Sequence, residues 1–361
     1  FLSNYYVIDL YFYKTNGINT RLKIKNSINK ISIKSNNKLV NYLCSKYIGF
    51  AQLYLIYFLN KNKKNYNFIF SGAGEFFSKN CKVYQYIHHP FYSMNPFHFL
   101  ALGVKKNQYL KLLLRFLMSA LGRFYFKTLE FQTKDSKKRI TIVNSNWTKN
   151  RFKSIYNDNN IKLIYPTFLI PKYLSGFQKK YEKRKNDFVI LGRVSEDKNT
   201  FEAVSFFLKL KKLLPQIGRL HVIGPYGYSM KKKVISILSK NKNNIVFHGY
   251  LSKKKRNDIL KKSKYGLHFA RFEHFGRSVL EMHKNGIIVF AHNSGGSSEI
   301  VVDELQKYSS IDELNSKIKR ILFDTKKRHK LIKKYDNKFF KNFTDEKFRE
   351  EMKNTFVKKN G

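Results

Sequence analysis

The sequence predicts an α/β protein built from two Rossmann-like domains, each with a parallel sheet. The first observation is length, because 361 residues are enough for two domains of ordinary size. The second is pattern, since short apolar runs alternate with helical stretches, as is typical of parallel sheets. The third is composition, because 42% hydrophobic residues is normal for a globular protein with real cores.

The formal charge of +47 is extreme, and it means that the surface will attract anions. Nucleic acid, acidic lipid headgroups and phosphorylated substrates are the candidate partners. The basic runs at 231–233 and 253–256 are interpreted as solvated faces. No zinc-finger or RNP-like pattern is present, so no specific nucleic-acid partner is expected. Cys44 and Cys81 form no metal or disulfide spacing, which favours a reducing compartment.

The first half of the chain contains apolar runs that predict strands, separated by polar turns. Residues 47–59 form an apolar run of thirteen residues, which is shorter than the roughly twenty that a spanning helix needs. We interpret this run as a buried helix, with contact at a membrane interface as the alternative. The predicted strands cover residues 5–12, part of 22–33, 66–70, 82–87, 140–143 and 162–165.

Residues 94–131 combine apolar and aromatic side chains with polar ones that recur every four residues. On a helix this spacing gives a slowly winding polar stripe, with leucines on the opposite side. An ordinary amphipathic core helix explains the pattern. An in-plane membrane helix with cations on anionic headgroups explains it as well. The polar positions are Lys111, Arg115, Ser119, Arg123 and Lys127.

The second half of the chain alternates strands with helices more regularly, so its sheet is expected to be parallel. Ligands in such sheets bind at the carboxyl ends of the strands. Strands are predicted at 188–191, 220–223, 245–247, 265–269 and 287–290, and helices at 200–214, 230–238, 255–262, 311–323, 326–340 and 344–357.

Two cations follow the first strand of this half. Residues 188–191 lead directly into Gly192, Arg193 and, five residues later, Lys198. Arginine offers a fork of donors and lysine a compact charge, and both bind phosphate groups. The alternative is two surface cations among 71 lysines and arginines. Their place directly after a strand and a glycine favours an anion site.

The stretch 272–299 is predicted to run loop, helix, strand, loop, helix, and it carries the most chemistry. Glu273 precedes the first helix and Glu281 lies about two turns inside it. The amides of Phe275, Gly276 and Arg277 would be unpaired at the helix N-terminus and could bind a phosphate. The two carboxylates could accept hydrogen bonds from sugar hydroxyls, although two surface carboxylates are the simpler interpretation of the spacing alone.

Signals for the ends of these elements are also present. Asn285-Gly286 is expected to end the helix, because glycine readily adopts the left-handed conformation. Ser297 or Ser298 is expected to cap the next helix.

In the first half, His88 follows a strand, where a ligand contact and a structural hydrogen bond are comparable interpretations.

The string EHFG…VLEM…AHNSGGSSEIV resembles the E-x7-E signature of the retaining, two-domain glycosyltransferases of family 4. It is most similar to the members that extend a lipid-linked oligosaccharide with mannose. The strings YIHHP, VNSNWT and GRVSEDK at 86–90, 143–148 and 192–198 resemble further motifs of that family. The resemblance is strongest over residues 188–302.

The resemblance implies a GT-B fold, in which the two domains face a cleft. It implies transfer of a hexose, with mannose favoured, from a nucleotide-sugar to a lipid-linked or glycan acceptor, with retention of configuration. It also implies an anionic membrane surface as a partner and a location at the cytosolic face of a membrane. No Asp-x-Asp metal motif is present, so no metal or other cofactor is expected.

The resemblance also assigns roles to individual residues. Arg193 and Lys198 would neutralise the leaving diphosphate, Glu273 would hold sugar hydroxyls, Glu281 would hold the ribose, and His88 would position sugar and acceptor. The expected catalytic residues are His88, Arg193, Lys198 and Glu273. The expected donor-binding residues are Gly192, Tyr250, Leu251, His274, Phe275, Gly276, Arg277, Ser278 and Glu281.

The expected domains are an acceptor-side domain at 1–167, a linker at 168–186, a nucleotide-sugar domain at 187–340 and a C-terminal helix at 341–361 that returns to the first domain. Two departures from the family pattern stand out. The chain lacks the family's first strand and glycine-rich loop, so a gap is expected in the first sheet. Arg277 stands where relatives often have an aliphatic residue.

Two other classes of function remain open from the residues. A basic nucleic-acid-binding protein would show salt-sensitive binding to nucleic acid and no binding of nucleotide-sugars. A degenerate transferase fold, kept as a binding module, would bind a nucleotide-sugar without turnover. The donor sugar, the base and the acceptor are not specified by the residues themselves.

Overall fold

The computed structural model describes residues 8–13, 28–33, 36–46, 48–62, 66–72, 74–78, 81–90, 113, 116–117, 120–122, 124, 139–156, 158, 160–168, 181–335 and 337–356. The chain divides into two compact units. The first comprises residues 1–144 and 148–163, and the second comprises 145–147 and 164–361. Most of the predicted linker at 168–186 lies outside the described residues, as does most of 94–131.

The first unit contains two parallel sheets among its described residues. One pairs β1 with β2, and the other has the order β3-β4-β5-β6. The family resemblance implies a gap in the sheet of this domain. The described strands fall into two separate sheets, and the missing strand itself stays a prediction. The elements are β1 (Ile8–Tyr13), β2 (Ile28–Ile33), α1 (Lys38–Lys46), α2 (Ile48–Lys61), β3 (Phe68–Ser71), β4 (Lys82–Ile87), β5 (Arg139–Val143), α3 (Asn146–Tyr156) and β6 (Ile161–Leu163).

The core of the first unit forms where α2 and α3 pack on the four-stranded sheet. Ile56 of α2, Ile87 of β4, Val143 of β5 and Phe152 of α3 are buried in one cluster. The predicted buried helix at 47–59 is thus confirmed as a helix with a buried face. Among the described residues, no helix combines the length and apolarity that crossing a bilayer would take.

The second unit is a six-stranded parallel sheet with the order β12-β11-β10-β7-β8-β9. The strands are β7 (Lys185–Leu191), β8 (Leu220–Ile223), β9 (Ile245–Gly249), β10 (Ser263–His268), β11 (Ile288–His292) and β12 (Lys307–Tyr308). The helices are α4 (Thr200–Leu213), α5 (Tyr228–Asn241), α6 (Lys253–Lys262), α7 (Arg277–Lys284), α8 (Ser297–Ile300), α9 (Ile311–Leu322), α10 (Thr325–Lys333), α11 (Asn337–Lys341) and α12 (Asp345–Phe356).

The strand order of this unit decides where its loops meet. β7 lies between β10 and β8, and all three run in the same direction. The loops after β7, β8 and β10 therefore leave the same edge of the sheet side by side, where ligands bind in open α/β folds. The central strands are buried on both faces, with Phe188, Tyr265 and Phe290 among the largest fully buried side chains.

Three expectations differ from the structure in detail. The predicted helix at 326–340 is two helices, α10 and α11, because the chain turns at residues 334–335. Neither Ser297 nor Ser298 caps α8, since the helix begins at Ser297 after Gly296, and the Ser298 hydroxyl donates to the Gly295 carbonyl at 2.7 Å. Helix α12 groups with the second unit, and its expected return to the first domain stays a prediction.

Candidate functional site

The loop after β7 begins with a glycine that the fold requires. Gly192 has a φ of +144°, and its amide donates to the carbonyl of Ile223 at 2.9 Å. Gly224 packs so closely beneath it that a Cβ there would lie 1.8 Å from the Gly192 oxygen. The opposite side of Gly192 is open, since a Cβ there would meet nothing within 4 Å. A ligand therefore has room to approach the backbone at the end of β7.

Arg193 follows at the surface of this loop. Its side chain is 66% exposed, and its guanidinium donates to Asp197 at 3.2 Å. An exposed pair of this kind contributes little to stability, typically about 0–1 kcal/mol. The arginine can therefore exchange Asp197 for a bound anion at little cost.

Lys198 and Glu273 meet in the second unit. The Lys198 ammonium donates to Glu273 Oε2 in a short ion pair, and both side chains are largely buried. Asn199, with a φ of +49°, anchors the loop by donating from its side chain to the carbonyl of Phe269 at 3.1 Å. Burial opposes the charge on Glu273, but Lys198 and the neighbouring histidines together outweigh it, so the pKa of Glu273 lies below its usual value.

A histidine that sequence analysis missed completes this cluster. His268 is the last residue of β10, and its side chain is 6% exposed. Nε2 lies 3.8 Å from Glu273 Oε2 and has no hydrogen-bond partner among the described residues, while Nδ1 lies 3.5 Å from the Ser278 hydroxyl. Burial lowers the pKa of His268 to about 4, so the ring is neutral at pH 7. The sequence signal that could have identified His268 is its position near the end of the predicted strand at 265–269.

The loop between β11 and α8 holds Glu273 in place. The amide of Gly296 donates to the Glu273 carbonyl at 2.6 Å, and the Ser294 hydroxyl accepts from the amide of Phe272 at 3.1 Å. A Cβ on Gly295 would lie 2.6 Å from the Glu273 backbone, and one on Gly296 would lie 2.2 Å from the carbonyl oxygen of His274. Phe272 adopts a φ of +56°, which fits a backbone that its surroundings constrain.

Helix α7 begins where the sequence predicts a helix N-terminus with unpaired amides. The helix starts at Arg277, after Gly276 with a φ of +94°. Among the described residues, no acceptor is found for the amides of Phe275, Gly276 and Arg277. The Phe275 ring is buried and the Arg277 side chain is exposed. Free amides and the positive end of a helix favour a bound anion.

Glu281 lies inside α7 and forms an ion pair that was not predicted. Arg256 of α6 reaches its Oε1 at 2.6 Å, and both side chains are about three-quarters buried. The prediction of a solvated face was therefore wrong for Arg256, because this ion pair draws its side chain against α7. Arg256 Nε is buried without a hydrogen-bond partner among the described residues. Burial and the neighbouring Lys253 lower the pKa of Lys284, so cations surround this carboxylate. Arg256 thus holds one carboxylate oxygen, and no partner for the other is found in the part of the chain that the structure describes.

The loop after β9 carries the two residues expected beside a base. Tyr250 is 81% exposed, and Leu251 is half-buried and packs against the core of the unit. Tyr226, from the loop after β8, lies close to Gly249, where a Cβ would be 3.9 Å from its ring. The neighbouring loops after β8 and β9 thus offer exposed aromatic rings, and base binding here stays a prediction.

The remaining predicted residues occupy the expected elements. His88 follows β4 in the first unit, is exposed, and accepts a hydrogen bond at its carbonyl from Asn144 at 3.1 Å. In the second unit, the His274 carbonyl accepts from the Ser145 hydroxyl at 2.5 Å, and its ring lies edge-on to Trp147. The catalytic role of His88 stays a prediction.

Four predicted side chains therefore fall into two clusters of the second unit. Lys198, Glu273 and Ser278 lie around His268, whereas Glu281 lies with Arg256. Arg193 stands apart at the surface, on the same loop as Lys198. Chemically, cations and free amides can bind a diphosphate, and the two carboxylates can bind hydroxyl groups. The described residues hold no group of three histidine, cysteine or carboxylate side chains arranged for a metal ion.

The sequence is similar to a family model and to curated proteins. Residues 175–338 match the family model described as "Glycosyl transferases group 1". The chain is 25% identical over 168 residues to a Candida glabrata protein named GDP-Man:Man(3)GlcNAc(2)-PP-Dol alpha-1,2-mannosyltransferase, covering 44% of this chain and 33% of that protein. A Mus musculus protein of the same name is 25% identical over 239 residues, covering 60% of this chain and 47% of that one. The matches thus span between a third and a half of these relatives' length.

Solved structures resemble almost the whole chain. WaaG, a glycosyltransferase involved in lipopolysaccharide biosynthesis, matches with a TM-score of 0.61 at 11% identity, covering 100% of this chain and 93% of that chain. Sucrose-phosphate synthase from Thermosynechococcus elongatus matches with a TM-score of 0.66 at 14% identity, covering 98% and 89%. At this identity the likeness shows the fold alone, and it confirms the predicted α/β architecture of two Rossmann-like domains.

Proposed function

We propose, on the premise that residues 175–338 form a domain of the glycosyl transferases group 1 family, that this chain is a retaining hexosyltransferase. It transfers a hexose from a nucleotide-sugar to a lipid-linked or glycan acceptor. Mannose, carried by GDP, is the preferred donor, because the curated relatives are named for that reaction.

One observation carries the proposal: the Lys198–Glu273 pair lies in the same unit as the free amides of α7, with Arg193 on the same loop as Lys198. When the bond between sugar and diphosphate breaks, negative charge develops on the leaving oxygen. Fixed cations and helix amides stabilise that charge in the transition state more than in the ground state. Lys198 and Arg193 supply the cations, and Glu273 accepts hydrogen bonds from the sugar hydroxyls.

The same residues explain why a metal ion is dispensable in this proposal. Many transferases neutralise the diphosphate with a divalent cation, and two cationic side chains with aligned amides provide comparable neutralisation. Glu281 binds the ribose diol through the oxygen that Arg256 leaves free. The exposed rings of Tyr226 and Tyr250, which follow β8 and β9, would then lie beside the base.

Membrane contact forms a second part of the proposal. Leu113, Leu117, Leu121 and Phe124 are helical and between 47% and 72% exposed. A spacing of four, four and three residues would place them on one face if they belong to one helix. Such a row of exposed apolar side chains, in a chain of net charge +47, suits the surface of an anionic bilayer. A lipid-linked acceptor would be reached there, at the cytosolic face.

Calorimetric titration with GDP-mannose, UDP-glucose, GDP and UDP tests the proposal directly. Binding of one nucleotide-sugar without added metal, followed by transfer to a lipid-linked oligosaccharide in the presence of EDTA, is the expected result. Binding that requires a divalent cation would refute metal independence. Failure of all four ligands to bind would refute the transferase function itself.

A further inference from the structure

The ion pair between Lys198 and Glu273 poses a chemical problem for the proposed function. Lys198 is to bind the diphosphate, yet its ammonium already donates to the largely buried Glu273. If Lys198 moves to a diphosphate, the carboxylate loses its counter-charge. Leaving a buried charged group without a partner carries a large penalty. A nucleoside diphosphate offers Glu273 no sugar hydroxyl, so when Lys198 moves to this ligand a second group must take over the carboxylate.

His268 is placed to do this. Its Nε2 faces Glu273 Oε2, the same oxygen that Lys198 occupies, at 3.8 Å. That separation exceeds the roughly 3.2 Å limit of a good hydrogen bond, so His268 does not hold the carboxylate while Lys198 does. A shift of well under about 1 Å would bring the two atoms into range. The nitrogen is buried and has no other partner among the described residues.

The tautomer of His268 fits the same role. Among the described residues, the Ser278 hydroxyl is the group near Nδ1, and its distance of 3.5 Å is that of a long hydrogen bond. If Nδ1 carried the proton, the bare Nε2 would turn its lone pair toward a carboxylate. If Nδ1 accepts from the Ser278 hydroxyl instead, Nε2 carries the proton and can donate to Glu273. The second arrangement satisfies both neighbours and keeps the ring neutral.

We propose that His268 is a positioning residue that receives Glu273 when Lys198 transfers to the donor diphosphate. This inference rests on the proposed function. Lys198 and His268 then alternate on one carboxylate oxygen. The exchange gives Glu273 a hydrogen-bond donor from the protein while the carboxylate faces the sugar in the bound state.

A double-mutant cycle measured with GDP or UDP, whichever binds the parent protein more tightly, tests the exchange. With Lys198 present, His268→Leu is expected to weaken binding about tenfold, since the bound state then leaves Glu273 unpaired. In the Lys198→Met background the same change should have little effect, because no lysine leaves Glu273 on binding. His268→Gln keeps a neutral N–H donor and should recover most of the affinity.

His283 provides a matched control. It is fully buried in the same unit, its Nε2 also lacks a partner among the described residues, and it packs on Tyr335 away from the pair. His283→Leu should leave the affinity for the nucleoside diphosphate unchanged in variants that circular dichroism shows to be folded. Equal losses from His268→Leu in both lysine backgrounds, or no loss in either, would overturn the exchange. If the parent binds neither diphosphate, the proposed function fails first and the exchange with it.

Discussion

The ammonium of Lys198 and the carboxylate of Glu273 are paired across 75 residues of sequence. Lys198 follows β7 and Glu273 follows β10, and these strands are neighbours in the sheet. The resemblance to known transferases assigns the two side chains to different parts of the donor, the lysine to the diphosphate and the glutamate to the sugar. Their direct contact indicates that these two parts of the donor would bind at one place.

The first prediction separates the two roles of this pair. Lys198→Met should lower the free energy of unfolding by about 1–3 kcal/mol, because Glu273 stays buried without its counter-charge. The double variant Lys198→Met with Glu273→Gln should recover much of that stability, since the remaining amide is neutral. Affinity for a nucleoside diphosphate should fall in both variants. Urea denaturation and calorimetry measure the two quantities.

An exposed lysine of the same unit serves as the control for this prediction. Lys209 lies on the surface of α4, and Lys209→Met should change neither the stability nor the affinity. If Lys198→Met bound the nucleoside diphosphate as tightly as the parent, the diphosphate assignment of Lys198 would be wrong.

The pair also shows what sequence patterns can and cannot predict. The strands 82–87 and 220–223 are confirmed at both ends, because each is rich in aliphatic or aromatic residues and ends before a histidine or a glycine. The helix stop at Asn285-Gly286 is confirmed as well, with Gly286 at a φ of +73°. These features depend on local chemistry, which the sequence displays directly.

The contacts of the site depend on the arrangement of strands. Lys198 meets Glu273 because β7 pairs with β10, and Arg256 meets Glu281 because α6 packs near α7. No spacing along the chain encodes either contact. His268 was not predicted for the same reason, since its role depends on its contact with an oxygen of Glu273 and not on its neighbours in sequence.

The second prediction concerns Glu281 and the ribose. Glu281→Ala should weaken binding of GDP by about tenfold or more, since it removes the acceptor proposed for the ribose hydroxyls. Binding of inorganic pyrophosphate, which has no ribose, should be unchanged. Arg256→Leu should weaken GDP binding by a smaller factor, because it frees the carboxylate to rotate without removing it. Competition calorimetry with the two ligands provides the comparison.

A parallel loss of GDP and pyrophosphate in Glu281→Ala would contradict the ribose assignment. Such a result would mean that the change disturbs the N-terminus of α7 as a whole. Circular dichroism and the unfolding midpoint of each variant show whether α7 as a whole is disturbed. This control is needed because Glu281→Ala also removes the carboxylate that pairs with Arg256.

The third prediction uses the pKa of His283. Burial lowers the pKa of this histidine to about 3, so it stays neutral in the folded protein. The unfolded chain binds its proton near pH 6.5, which means that the unfolded state holds more protons below that pH. The free energy of unfolding should therefore fall as pH decreases from about 6.5. One histidine contributes a slope of at most about 1.4 kcal/mol per pH unit.

His283→Asn tests this assignment, since asparagine is neutral and can still donate to the Ile287 carbonyl. Its stability should be lower than that of the parent at pH 7, but it should fall less steeply between pH 6.5 and 5. Parallel curves for the two proteins would show that His283 does not contribute to the pH dependence.

The fourth prediction concerns the glycines behind Glu273. Gly296 has an ordinary φ of −62°, so alanine is not excluded by the backbone. Its Cβ would lie 2.2 Å from the His274 oxygen, and the loop that carries Glu273 would have to move. Gly296→Ala should lower the stability by about 1–3 kcal/mol and weaken donor binding. Gly72→Ala, whose Cβ meets only Phe70 at 3.6 Å, should do neither.

The fifth prediction concerns the apolar row Leu113, Leu117, Leu121 and Phe124. If these side chains enter a bilayer, Leu117→Ser with Leu121→Ser should reduce binding to vesicles of anionic phospholipid. Burying a leucine contributes about 1.5–3 kcal/mol, so each substitution should lower the partition coefficient by about tenfold or more. Co-sedimentation with vesicles of increasing phosphatidylserine content measures the effect.

Leu213→Ser is the matched control, because Leu213 is 62% exposed at the end of α4 in the other unit. It should leave vesicle binding unchanged if the row at 113–124 makes the contact. Cations elsewhere on the chain would still attract the protein to anionic vesicles, and raised salt should weaken that part of the binding. The apolar part should persist at high salt, so a double serine variant that loses only the salt-sensitive part would contradict insertion of the row.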